Sequence, residues 1–147
     1  MKSLDYITML VLLVYIIPLV LYFYTFNFIH LKAFIGAYGS LMLSESLKHF
    51  VIKKASPRPQ GAENCNLWCN DGNQSGQPGM PSGHSTDVSF FTGFYWQQTD
   101  NIIIRSLLVI YAFIIMLSRY LKKCHTINQI IAGGIFGLSS SILVNRI

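Results

Sequence analysis

Charge is scarce in this chain. Of its 147 residues only 12% are Asp, Glu, Lys or Arg, about half the ~25% share of an average soluble domain. That scarcity excludes a disordered polymer, which needs high charge and low hydrophobicity, and an ordinary soluble enzyme. Acid is the scarcer sign: six Asp and Glu stand against eleven Lys and Arg, a net charge of +5. Among so few carboxylates the sequence shows no cluster able to hold a metal ion. Three cysteines are too few for a disulfide-built miniprotein. There is no internal repeat and no low-complexity tract. What the chain does have is apolar surface, 52% of its residues, and the length of one domain. Together these point to a membrane.

The long apolar runs agree. Tyr6 to Phe26 carries no charge and at ~1.5 Å per residue reaches about 31 Å, the thickness of a hydrocarbon core. Lys2 before it fits a signal peptide, but the run is too long, its tyrosines are bulky and no small-residue cleavage site follows. It reads as a retained helix, kinked at Pro18. Four further segments follow: Ala33 to Phe50, with Glu45, Lys48 and His49 near its end; His84 to Gln98, the weakest; Ile102 to Ser118; and Ile127 to Val144, with the close-packing pair Gly133 and Gly137. The expected fold is an all-α integral membrane bundle of about five transmembrane helices in a single domain, 1–147.

One stretch breaks this pattern. From Lys53 to Pro81 the chain holds four of its five prolines together with several glycines and asparagines, so it is a long loop, and loops of that length carry function or are disordered. Alternating the helices across the membrane brings this loop, the start of the third helix and the Arg119–His125 connection to one face. That face gathers Arg58, Ser82, His84, Arg119 and His125. Arginines are permanently charged donor forks for phosphate oxygens, and histidine does nucleophilic or acid–base work near neutral pH. Ser82-Gly83-His84 opens a helix whose free N–H groups bind anions. Taken singly these residues have plainer readings: Arg119 a snorkelling interfacial side chain, either histidine a solvated one, Lys122 and Lys123 topology signals. Taken together they make an oxyanion site at a membrane surface, suited to a phosphate ester.

Arg58-Pro59, Pro81-Ser82-Gly83-His84 and Ser118-Arg119-x5-His125-x3-Gln129 resemble the three ordered motifs of the type 2 phosphatidic acid phosphatase (PAP2) superfamily. Within it, Gly79 to Ser85 and His125-Thr126-x2-Gln129 look most like the dolichyl (polyprenyl) diphosphate phosphatase branch. The resemblance implies a PAP2-like bundle and a metal-independent lipid phosphatase, with no cofactor. It makes His125 the nucleophile that forms a phosphohistidine and His84 the acid, then base. Arg58, Arg119, Ser82 and the Gly83 N–H would hold the phosphate oxygens. Gln129 stands where many relatives have Asp and would accept from the second ring nitrogen of His125. The family also places a Lys seven residues before its first Arg, which here is Val51. Lys53 is expected to serve instead, with Lys48 and Lys54 as the other candidates; Lys48 has the alternative of pairing with Glu45 inside the bundle.

The implied partners are a lipid phosphate or diphosphate and the bilayer, with no nucleic acid. The chain is short for a superfamily whose members often have six helices, so it is either a reduced enzyme or one that completes its bundle as a homodimer. The alternatives in function are a glycerolipid phosphate phosphatase acting on phosphatidate or a lysolipid, a non-catalytic lipid-phosphate binder, and a channel or scaffold whose charges merely line a cavity. Cys65 and Cys69 either close a loop disulfide or stay free thiols, and Asn73-Gln74-Ser75 is a glycosylation acceptor pattern. The shared face holds Lys2, Lys53, Lys54, Arg58, Arg119, Lys122 and Lys123, which by the positive-inside rule would put it in the cytosol. Several of those cations are there for phosphate, however, and the resemblance implies the luminal face of the endoplasmic reticulum, which is the expectation retained.

Overall fold

The computed structural model describes residues 3–147, so Lys2 and its place in the charge count lie outside the described residues. Among the described residues there are six α-helices: α1 (Ser3–Met9), α2 (Leu13–Thr25), α3 (Phe28–Ser46), α4 (Gly83–Trp96), α5 (Ile102–Leu121) and α6 (Ile127–Arg146). The first two form one apolar rod, Ser3–Thr25, joined by a 3₁₀ turn at Leu10–Leu12. The helix continues through Pro18, and an irregular turn comes before it. Among the described residues three helices are long and apolar enough to cross a membrane, Ser3–Thr25, Ile102–Leu121 and Ile127–Arg146. Ile103, Leu107, Ile110, Phe113 and Ile114 of α5 face outward, as side chains solvated by lipid do. This is an all-α membrane protein.

Short polar residues start the helices. Asn27 accepts from the Ile29 N–H (3.0 Å) and Asn101 from the Ile103 N–H (2.9 Å), satisfying first-turn donors that have no helical partner. Thr126 and Gln129 form a reciprocal capping box at the start of α6.

The segment that looked weakest, α4, is the centre of the bundle. Eleven of its fourteen residues are buried, and it packs against α6, α5 and α3. Its hydropathy is low because its Ser and Thr side chains face protein instead of lipid; Thr92 donates to the Leu108 carbonyl (3.1 Å). The α4–α6 contact depends on the two spaced glycines. A methyl on Gly133 would overlap the Ser82 carbonyl oxygen, and one on Gly137 the Thr86 carbonyl oxygen. Because α4 is clamped this closely, its amino end is held fixed against the start of α6.

Helix α3 ends differently from a simple α-helix. After Ser46 the chain makes a π-helical turn, Leu47–Ile52, then a 3₁₀ turn, Lys53–Ala55. Such turns mark functional sites more often than chance allows. The loop from there to Pro81 is ordered by its own hydrogen bonds, among them Arg58 N–H to the Gln77 carbonyl (2.7 Å) and Asn64 N–H to the Gly72 carbonyl (2.9 Å).

Candidate active site

Four pieces of chain meet at one end of the bundle: the π turn after α3, the loop at Arg58, the start of α4, and the turn between α5 and α6. They enclose a cavity of about 230 Å³ whose wall includes Lys48, Arg58, Gly83, His84, Asp87 and His125. The convergence expected from helix alternation is present for Arg58, His84 and His125; Arg119 does not line the cavity but is close enough for its charge to act on His125. Arg119 is fully buried; one guanidinium nitrogen donates to the Cys65 carbonyl, while Nε and Nη1 have no partner. Arg58 Nε and His84 Nε2 are likewise buried without partners. Buried donors are rarely left unpaired, and a group of them around one cavity is a place prepared for an acceptor-rich ligand.

The state of His125 follows from its neighbours. Gln129 Nε2 lies 3.0 Å from Ser56 Oγ, 3.2 Å from the Ser56 carbonyl and 2.8 Å from the Pro57 carbonyl. Carbonyls only accept, so this atom is the amide nitrogen and the amide oxygen must turn toward His125. That oxygen accepts from the Thr126 N–H (3.1 Å) and sits 3.3 Å from His125 Nδ1, which is therefore the protonated ring nitrogen. Nε2 keeps its lone pair, 3.4 Å from Arg58 Nη1. Burial first, and then the charges of Arg119, Arg58 and Lys48, hold His125 well below the ordinary histidine value, against the raising effect of its hydrogen bond to Gln129. The imidazole is neutral at pH 7, with its free lone pair beside a guanidinium.

Other expected residues fall elsewhere. Ser82 caps α4: its hydroxyl lies 3.0 Å from Ser85 Oγ and its N–H donates to the Gln129 carbonyl (3.0 Å). It braces the helix start, while Gly83 and His84 form the wall. A Cβ on Gly83 would come within 2.7 Å of Glu45 Oε1, so that the end of the Glu45 side chain would have to shift to admit it. Lys53 does not reach the cavity. It is exposed, at a positive φ of 51°, and Lys54 is also exposed. The lysine at the cavity is Lys48, 2% exposed and paired with Glu45. It precedes Arg58 by three residues more than the family spacing, and the π and 3₁₀ turns take up the excess. Sequence reading preferred Lys53 and kept Lys48 as an alternative, because residue counting assumes regular turns.

The cysteines correct a second expectation. Cys65 is bonded to Cys124, across 59 positions of sequence, and Cys69 is a buried free thiol. The bond fastens the loop to the residue before His125. Both cysteine carbonyls also accept from site arginines: Cys65 from Arg119, and Cys124 from Arg58 at 3.4 Å. Opening a loop of this size costs about 2–5 kcal/mol. Cys65→Ser is expected to lower the melting temperature and to reduce turnover of the protein that stays folded; a variant that melts lower yet turns over normally would show that the bond does not order the site.

Fold and site together define a class: a helical membrane protein with a cavity at one end of its bundle, walled by two histidines, an arginine and a lysine. The PAP2 superfamily profile matches residues 29–147, from α3 to the last residue, and the chain belongs to that superfamily, whose activity is that of phosphatases on lipid phosphates. No curated protein and no solved structure gives a significant match.

Proposed function

We propose that the protein removes the terminal phosphate of a polyprenyl diphosphate, of dolichyl or undecaprenyl type, through a phosphohistidine on His125. The observation that carries this reading is the His125 Nε2 lone pair, fixed by Gln129 and facing the same cavity as Arg58, Lys48 and His84. In the first step Nε2 bonds to the terminal phosphorus as the bond to the bridging oxygen breaks, and His84, which takes up a proton once the diphosphate charge offsets the cations around it, gives that oxygen the proton. In the second, His84 takes a proton from a water that attacks the phosphohistidine, and orthophosphate leaves. Arg58, Arg119, Lys48 and the N–H groups at the start of α4 stabilise the charge on the non-bridging oxygens. A wider pocket of about 570 Å³, lined by Tyr120, Leu121 and Ile127 together with Pro59, Lys123 and Asn128, also reaches His125, and its apolar side chains suit the start of an isoprenoid chain. In this reading the chain is multi-pass in the endoplasmic reticulum with its site on the luminal face, where the Cys65–Cys124 bond is stable.

The test is phosphate release by the purified protein in detergent with excess EDTA, from polyprenyl diphosphate and phosphatidate side by side. Release is expected from both, at least tenfold faster from the diphosphate. Faster release from phosphatidate would keep the chemistry and replace the substrate; loss of release in EDTA would end the metal-independent route.

A further inference from the structure

Asp87 belongs to none of the three motifs, yet its carboxyl lies in the wall of the same cavity as His84 and His125. It is on α4, three positions after His84, a spacing that puts both side chains on one face of the helix. Asp87 is 2% exposed, and its Oδ1 is buried without a hydrogen-bond partner. A buried carboxylate is stable only when several donors or a close cation compensate it. The groups facing Asp87 do not do so. Tyr15 of α2 and Tyr111 of α5 approach it; the Tyr15 hydroxyl is close enough to favour the carboxylate as a donor but makes no hydrogen bond of ordinary geometry to it, and that of Tyr111 is given to the Leu10 carbonyl (2.8 Å). Glu45 of α3 is a second acid, and Lys48 on the π turn is already paired with it. Arg58 and His125 lie across the cavity wall, the arginine against His125 Nε2.

An additional anion here would also repel a phosphate, whereas an un-ionised carboxyl is a donor that lacks an acceptor. Phosphate oxygens are acceptors. We propose that Asp87 is a further binding residue of this site: in its acid form it donates a hydrogen bond to a non-bridging oxygen of the bound phosphate. This rests on the phosphatase reading above and adds a residue to it. The carboxyl loses its donor when it ionises, so the inference ties ligand affinity to pH through a group outside the motifs.

The experiment is titration of the full-length protein in detergent with orthophosphate between pH 7 and 9, for wild type, Asp87→Asn and Asp87→Ala. Asparagine keeps a donor in nearly the same place and cannot ionise. Asp87→Ala is expected to weaken orthophosphate at least tenfold at pH 7, and Asp87→Asn about threefold. Wild-type affinity should fall further than that of Asp87→Asn as the pH rises and the carboxyl ionises; Lys48, the histidines and the ligand are present in both. Alanine binding within twofold of wild type would overturn the proposal, because no contact would have been lost. Asparagine as weak as alanine, with the wild-type pH dependence retained, would also overturn it by showing that the carboxylate charge is what acts. If Asp87→Ala does not fold, the pH dependence of Asp87→Asn alone decides. Wild type that neither binds nor releases orthophosphate would end the phosphatase reading and this one with it; a normal wild type with either adverse result ends only this one.

Discussion

His125→Ala should lose at least ~10³-fold in phosphate release while the protein stays folded, since removing a nucleophile from a catalytic unit costs at least that much. The fold has little reason to fail. His125 lies in the turn between α5 and α6, outside both helices, and the capping box of Thr126 and Gln129 holds the start of α6 without the imidazole. Gln129 also keeps its bonds to Ser56 and Pro57. Incubation with substrate followed by an acid-labile phosphate assay should find a covalent phosphate in wild type and none in the variant. Retention of more than a tenth of the activity would assign the nucleophile elsewhere.

The pH dependence of the wild type gives the same role a second readout. Burial and the neighbouring cations stabilise the neutral imidazole, so His125 in the free enzyme takes up its proton only well below the ordinary histidine value. The acid limb of kcat/KM, which reports free-enzyme groups, should therefore lie below the usual 6.5 of histidine. A limb at or above that value would mean that the titrating nucleophile is not this buried ring. Folding obeys the same sign. The unfolded chain binds a proton at this histidine at a pH where the folded one does not, so stability is highest above the ordinary value and declines as the pH falls through it.

What the sequence made legible was whatever depends on local regularity. Hydrophobic runs of helical length gave the rods, and their alternation placed Arg58, His84, Arg119 and His125 at one end, because each crossing reverses the chain whatever the details of packing. The spacing from His125 to Gln129 was equally local and returned as a ring-to-amide contact of 3.3 Å. The rest depends on contacts distant in sequence. Cys65 could not be matched to Cys124 without knowing that the loop folds over the α5–α6 turn. Ser56 and Pro57 had no sequence signal for anchoring Gln129. The helix judged weakest from hydropathy is the one other helices surround, since a scale that measures affinity for lipid undervalues a segment solvated by protein.

Lys48 and Lys53 give the second large effect, and their contrast separates a structural assignment from one made by counting. Lys48→Met is expected to lower kcat/KM by about 10²–10³-fold, the usual cost of removing one preorganised donor from a transition-state site, whereas Lys53→Met should stay within twofold of wild type. Lys48 is 2% exposed in the cavity wall beside Arg58 and His84. In so dry a place its charge acts on a developing phosphoryl anion with little screening, while the exposed Lys53 points into solvent. Lys48→Met also leaves Glu45 with only His49, at 3.4 Å, so part of any loss could be structural. Orthophosphate inhibition separates the two. A folded Lys48→Met enzyme that has lost a phosphate contact should need at least tenfold more orthophosphate for half-inhibition, and a merely loosened one should show the wild-type value. A larger loss in Lys53→Met than in Lys48→Met would overturn the assignment, and with it the role given to the π turn, which is to carry a lysine into the cavity despite three extra residues before Arg58.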